Sequence, residues 1–278
     1  MLGDAWVLTN ANGLGGTPTW IQLPSTAATQ GAGAAYDPIS NRMMVFGGLT
    51  AVGPYSDLNT VRVLIDANGI GTPQWLDLTP GGTLPPPRSE LQNIAYDPIN
   101  NRLIIFGGYR GAGNTEYNDT WVLTNANGLG GAPEWQLLTP PSALPSSRHS
   151  LPLSYDPNSN RLIVFGGLNQ FSEHVTYNDS WVLTGAHGLS GTPTWIQLKP
   201  TGPMPLGRRS HIAAYNPRTN RFMMGFGEYD AFANGSTTSS TIFNDLWVLS
   251  NASGLCTAGQ PCTFQTTASD PDAGDTLT

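Results

Sequence analysis

Apolar residues in this chain come in short runs separated by Gly, Pro and Asn, not in helical stripes. The stretch from Arg148 to Pro200 shows the pattern most cleanly. His149 to Tyr155 reads as a first strand and Asp156-Pro157-Asn158-Ser159-Asn160 as a tight polar turn, since Pro presets φ and Asp and Asn bond nearby backbone. Arg161 to Phe165 is a short, nearly all-apolar run, the mark of a strand covered on both faces. Gly166-Gly167 ends it. A variable segment, Leu168 to Asn178, leads to a third strand, Asp179 to Thr184. A Gly-rich loop, Gly185 to Pro193, precedes a fourth strand with alternating faces, Trp195-Ile196-Gln197-Leu198, and Pro200 to Leu206 returns to the next unit. No window keeps a 3.6-residue period free of Gly or Pro, which sets helix aside.

This unit is written four times. Tyr36-Asp37-Pro38, Tyr96-Asp97-Pro98, Tyr155-Asp156-Pro157 and Tyr215-Asn216-Pro217 stand 60, 59 and 60 residues apart. Each leads to Asn-Arg and an apolar run; the first three runs close on Phe-Gly-Gly, and the fourth on Phe226-Gly227-Glu228, read as Glu228 in place of Gly. A fixed period of this size means stacked units, each unable to bury its apolar face alone. Four short antiparallel strands per unit make one propeller blade. Asp4-Ala5-Trp6-Val7-Leu8-Thr9 matches Asp119-Thr120-Trp121-Val122-Leu123-Thr124, so the chain is expected to open partway through a unit as a piece of a longer protein.

The order of an Arg-x-x-His-like start, Tyr-Asp-Pro, an apolar strand, Gly-Gly, Asn-Asp-x-Trp and Trp-x-x-Leu resembles the kelch repeat, of the type in the central domain of galactose oxidase. The resemblance covers residues 3 to 250. It implies an all-β, kelch-type β-propeller. The half blade is residues 3–24, and four full or nearly full four-stranded blades run from about 29–80, 88–140, 148–200 and 208–262. As closed kelch propellers commonly have six or seven blades, this one is expected to be incomplete. The period exceeds the about fifty residues usual for kelch, and the excess is placed in loops such as Asn10 to Gly16 and Asn125 to Gly131. The last unit shows no clear fourth strand. Its tail, 263–278, resembles the opening of cadherin-like or immunoglobulin-like modules of bacterial surface proteins, making neighbouring modules of a longer chain expected partners.

Composition narrows the function. With 33 Gly, 23 Pro and 11% charged residues, the chain suits many short strands and tight turns. A net charge of -7 excludes nucleic acid as partner, because phosphates demand clustered Lys and Arg. No run approaches a membrane span, and no signal peptide is read at the start. Cys256 and Cys262 are read as a small loop disulfide, which suits an oxidising, extracellular or cell-surface setting.

Most prominent residues are read as skeleton. Trp6, Trp121, Trp181 and Trp247, and Trp20, Trp75, Trp135 and Trp195, recur at fixed strand positions and are assigned to packing between blades; Arg62 replaces one of them. Asn118-Asp119, Asn178-Asp179 and Asn244-Asp245 are expected to bond their own backbone at the third strand. No acid, base or metal set recurs, no cofactor is implied, and no cysteine lies near a tyrosine within a blade as galactose oxidase-like copper chemistry would need. Asp270, Asp272 and Asp275 are weak calcium candidates.

The working surface follows from topology. Loops between strands two and three emerge on the same face as those joining successive blades. The first set is variable: Leu49 to Ser56, Tyr109 to Tyr117, Leu168 to Tyr177 and Glu228 to Phe243. The second carries Arg88, Arg148, Arg208 and Arg209 with His149 and His211. With Tyr109, Arg110, His174 and Tyr177 these are the ligand-binding candidates; the equal alternative is that the arginines brace neighbouring loops. The preferred reading is a non-catalytic extracellular adhesion or recognition module for a protein or glycan. The competing ones are a carbohydrate-active or oxidoreductase enzyme with its catalytic groups in blades outside this chain, and a structural spacer.

Overall fold

The computed structural model describes residues 2–50, 56–189, 191–254 and 266–268. Its regular elements are all strands. They fall into two compact units, one of residues 1–115 and 120–137 and one of 116–119 and 138–278.

In the first unit, β1 (Ala5–Leu8) and β2 (Trp20–Leu23) pair antiparallel as the half blade. The next blade follows β3 (Thr29–Gln30) with β4 (Gly33–Asp37) and β5 (Arg42–Phe46), then, past β6 (Leu49–Thr50), β7 (Val61–Ile65) and β8 (Gln74–Leu78). Its sheet order is β4-β5-β7-β8, with β3 pairing β6. The second blade has β9 (Ala95–Asp97), β10 (Arg102–Phe106), the short β11 (Tyr109–Arg110) and β12 (Thr115–Glu116), then β13 (Thr120–Thr124) and β14 (Trp135–Leu138).

The second unit repeats the plan. The third blade has β15 (Leu153–Asp156), β16 (Arg161–Phe165), a small ladder of β17 (Leu168–Asn169) with β18 (Val175–Thr176), β19 (Ser180–Thr184) and β20 (Thr194–Leu198). The fourth has β21 (Ile212–Asn216), β22 (Arg221–Gly225), a long hairpin of β23 (Glu228–Ala233) and β24 (Ser236–Ile242), β25 (Leu246–Ser250) and β26 (Thr266–Ala268). Where the sequence shows no clear fourth strand, the backbone of β26 fills that place by antiparallel pairing with β25.

The recurring Tyr-Asp-Pro (Tyr-Asn-Pro in the fourth copy) and Asn-Arg pieces tie strand one to strand two and, within each unit, one blade to the next. Asn41, Asn101, Asn160 and Asn220 all take positive φ, between 51° and 55°, a conformation Asn tolerates better than most side chains. Each accepts a 3.1 Å hydrogen bond from its own blade's tyrosine hydroxyl: Tyr36, Tyr96, Tyr155 and Tyr215. Tyr96 also donates to Asp37 of the preceding blade at 3.2 Å, and Tyr215 to Asp156 at 3.1 Å. Arg42 and Arg161 donate in the opposite sense, forward to the carbonyls of Asn127 and of Ser253 and Gly254 in the following blade.

Apolar strand faces supply the cores. In the first unit Met44, Phe46, Val63, Leu103, Ile105 and Trp135 form one cluster, with Phe46 and Trp135 edge to face at 5.1 Å across the blade junction. In the second, Ile163, Phe165 and Val182 pack on Phe222, Met224 and Leu249. Inter-blade packing thus holds for Trp135, and Trp121 and Trp195 are buried too, while Trp6 and Trp20 are 50% and 63% exposed.

The strand register corrects one reading of the repeat. Phe165 lies opposite Ser180, and Gly225 opposite Leu246. Gly225 therefore takes the place of Phe165, Phe226 that of Gly166, and Glu228 that of Leu168. Glu228 bridges Arg209 as Leu168 bridges His149. The departure in the fourth copy is thus Phe226 for Gly. Gly166 needs to be glycine: its φ is +66° and a Cβ there would lie 2.6 Å from the Arg208 carbonyl oxygen. Phe226 adopts the same hand, φ 59°, at 45% exposure.

Candidate functional site

The loops between blades enter the second, third and fourth blades through an arginine. Arg88, Arg148 and Arg208 are fully buried. Each bends its Nε back to a carbonyl two residues upstream, those of Pro86, Ser146 and Leu206. Each aims Nη1 at the carbonyl ending strand two, those of Gly107, Gly166 and Phe226, at 2.8, 2.9 and 3.0 Å. Arg148 then forks onto Asp179 at 2.6 and 3.0 Å, and Arg208 onto Asp245 at 2.6 and 2.9 Å. Tyr177 covers the Arg148 guanidinium at 4.0 Å and Phe243 that of Arg208 at 4.3 Å. Asp179 and Asp245 also accept from the indoles of Trp181 and Trp247. Burial pushes the Asp245 carboxyl up, but bonds from Arg208 and Trp247 and the guanidinium charge outweigh it and hold it below the usual carboxylate range.

These contacts bear on two sequence expectations, and for the arginines they match the bracing alternative. Asp179 and Asp245 do not merely cap their own strands; they are partners of the loop arginines. Arg88, Arg148 and Arg208 present no surface to a ligand, so they brace the blades, and their donors are taken up internally. The missed signal was co-occurrence: an Arg before strand one and an Asn-Asp before strand three recur in the same units. In the first full blade Thr60 and Arg62 stand where Asp and Trp occur elsewhere, and Arg62 instead meets Asp77 at 3.5 Å and the Ala27 carbonyl at 3.2 Å.

Both loop histidines beside the arginines are also interior. His149 Nδ1 lies 2.9 Å from Ser150 Oγ, and Nε2 lies 3.5 Å from the buried Glu116 carboxylate. His211 sits where the other blades have Leu91 and Leu151, edge-on to Phe165 at 5.7 Å. Among the described residues neither of its ring nitrogens finds a hydrogen bond. Burial, then the nearby Arg208 charge, push its pKa down to about 3, so at neutral pH it is an uncharged core residue.

The remaining candidates are at the surface. Tyr109 donates to Asn114 at 2.9 Å, and Arg110 beside it is exposed. Tyr177 donates to Glu173 at 2.8 Å, and burial with that carboxylate pushes its phenol up. His174 Nδ1 meets the Gln170 carbonyl at 2.6 Å, and its ring lies 5.8 Å from Phe232 on the long hairpin. Arg209 spans Glu228 at 2.9 Å and Asp230 at 2.5 Å, and Asp230 is held in turn by Ser240 and by the Thr176 hydroxyl on its backbone. Arg209 and Tyr177 thus stand at the roots of the β23–β24 and β17–β18 hairpins, and His174 lies between their tips, beside Phe232 and Gly235. Among the described residues no three His, Cys, Asp or Glu gather as a metal site, and no helix is long and apolar enough to cross a membrane. Cys256, Cys262, Asp270, Asp272 and Asp275 lie outside the described residues.

No family model matches the chain. Among curated proteins it is similar to Kelch repeat-containing protein 2 of Saccharomyces cerevisiae, 30% identical over 173 residues. That match takes in 59% of this chain but 18% of the relative, so the chain spans less than a fifth of that protein's length. Among solved structures it is similar to that of YjhT, with a TM-score of 0.64 at 11% identity, covering 91% of this chain and 82% of the other. Four-stranded blades on a sixty-residue period and this structural likeness agree on a β-propeller fold, and the kelch-repeat relative is what its sequence is similar to.

Proposed function

We propose that this chain is a non-catalytic recognition module that binds a protein partner through the face of the strand two-to-three loops and the loops between blades. One observation carries the reading. On this face the buried arginine brace repeats, while what projects beyond it differs from blade to blade. The ladder in the third blade is two residues long, and the hairpin in the fourth is six and seven. All seven residues of β24 are exposed, and it pairs on one side only among the described strands. An edge of this kind offers unpaired N–H and C=O groups to an extended segment of another protein. Arg209, His174 and Tyr177 would flank such a segment, with Tyr109 and Arg110 serving the corresponding place on the second blade. The setting we assign is extracellular, with adhesion as the role.

The test is an array of peptides and glycans probed with the full chain and with a variant whose 229–241 hairpin is cut to the length of the β17–β18 turn. Peptide binding lost in the trimmed variant is expected. Hits confined to glycans, or peptide binding indifferent to trimming, would sink the protein-edge reading.

A further inference from the structure

The opposite face of the first unit carries a second feature. Turns between strands one and two, and loops between strands three and four, emerge there together. Their tips are aliphatic and bare: Leu14 is 73% exposed, Ile39 76%, Ile70 75%, Ile99 70% and Leu129 44%. Single exposed aliphatics need no explanation, but several gathered on one face do.

Local structure does not demand them. At the Ile39 and Ile99 positions the backbone N–H donates to the turn aspartate, Asp37 or Asp97, at 2.9 and 3.0 Å. The third and fourth blades make the same turn with Asn158 and Arg218, whose N–H groups donate to Asp156 and Asn216 at 3.1 and 3.0 Å. The turn is therefore indifferent to the side chain, and isoleucine there leaves most of its surface in water. In the longer loops Leu14, Ile70 and Leu129 follow an Asn-Gly pair, and each N–H donates 2.9 Å to the preceding Asn12, Asn68 or Asn127 side chain. The tips are thus held in one shape before anything binds.

The tips are also joined. Asn127 donates to Asp37 and Ser40, beside Ile39. Asn41 and Asn68 bond each other, linking the Ile39 turn to the Ile70 loop. Asn101 donates to the Leu129 carbonyl, linking the Ile99 turn to the Leu129 loop. These bonds occupy the amides between the tips, and Arg42 and Arg102 turn to Asn127 and Gln136. What projects furthest from these turns is alkyl surface, set among exposed amides such as Asn12, Asn68 and Asn100.

We infer that this face is a docking surface for a neutral phospholipid bilayer, on which the unit would lie without crossing it. Separate rigid aliphatic prongs suit a fluid that closes round each of them. A protein partner would instead be expected to meet several aromatic or arginine anchors set in a shaped patch; the five tips are aliphatic, with Tyr36, 45% exposed, beside the Ile39 turn. The net charge of -7 disfavours an anionic surface. Interfacial binding of this sort scales with the apolar area inserted.

Flotation of the full chain with phosphatidylcholine vesicles tests it. The wild type is expected to co-float, insensitively to salt, and less well when phosphatidylserine is added. Ile39→Asn and Ile99→Arg borrow residues that the other blades already carry in this turn, so folding is retained, as thermal unfolding would check. Each should lower the partition coefficient about tenfold. Failure of the wild type to co-float, or equal flotation of the double variant, overturns the inference. So does a wild-type dimer that the variants dissolve without any vesicle binding, which would make the face a contact between copies.

Discussion

Replacing His211 by leucine isolates the effect of one buried imidazole. In the unfolded chain this group titrates at about 6.5; in the fold, burial and then Arg208 push it down to about 3. A lowered histidine pKa means that the unfolded state binds the proton more readily. Stability is therefore complete above 6.5 and is lost as pH falls from 6.5 toward 3. At pH 5 the unfolded state is favoured by one and a half pH units of protonation, which at about 1.4 kcal/mol per unit is roughly 2 kcal/mol. Leucine fits the site, because Leu91 and Leu151 fill the matching positions at 3% and 2% exposure. It also removes two ring nitrogens that lack hydrogen bonds, so His211→Leu should be neutral or stabilising at pH 7.5. Urea unfolding of wild type and variant at pH 7.5 and 5.0 reads the effect. The wild type should lose about 2 kcal/mol more than the variant between the two pH values. Equal losses would mean that His211 reaches water or a partner in solution, and the reasoning would fail.

Other perturbations follow from the same contacts. Arg148→Ala strands the Asp179 carboxylate and two carbonyl acceptors, and should cost about 3–5 kcal/mol in chemical unfolding; a loss under about 1 kcal/mol would make Arg148 a surface group after all. Trp135→Ala should cost about 3–5 kcal/mol, while Trp20→Ala, at 63% exposure, should stay within about 0.5 kcal/mol, and similar costs for both would refute the packing contrast. Tyr96→Phe removes bonds to both Asp37 and Asn101 and should cost about 1–2 kcal/mol, against about half that for Tyr36→Phe, whose hydroxyl bonds Asn41 at an exposed site. Phe226→Gly relieves a left-handed backbone and should stabilise by up to about 1 kcal/mol; a clear loss in melting temperature would show that the ring packs more than its exposure suggests.

Much of the architecture was legible because the repeat is local. Short apolar runs, Gly-Gly stops and Asp-Pro turns specify a strand meander wherever they occur, so four blades could be read from spacing. The left-handed Asn of each Asn-Arg pair belongs to the same class, since its tyrosine partner is five residues away. What the one-dimensional pattern left open were the bonds spanning thirty residues or more. Arg148 meets Asp179 and Arg208 meets Asp245 only because strand two folds back between them, and the same folding makes five conspicuous loop candidates, Arg88, Arg148, Arg208, His149 and His211, interior groups. The Phe226 exchange was hidden for a related reason: motif matching aligned Phe with Phe, whereas hydrogen-bond register aligned it with glycine.

The sequence by itself therefore determined the blade, its strands and its turns, because those depend on backbone preferences within a few residues. Only the tertiary structure decided which polar groups are buried and which remain for a partner. Burial depends on what the neighbouring blade covers, and no residue carries that information alone.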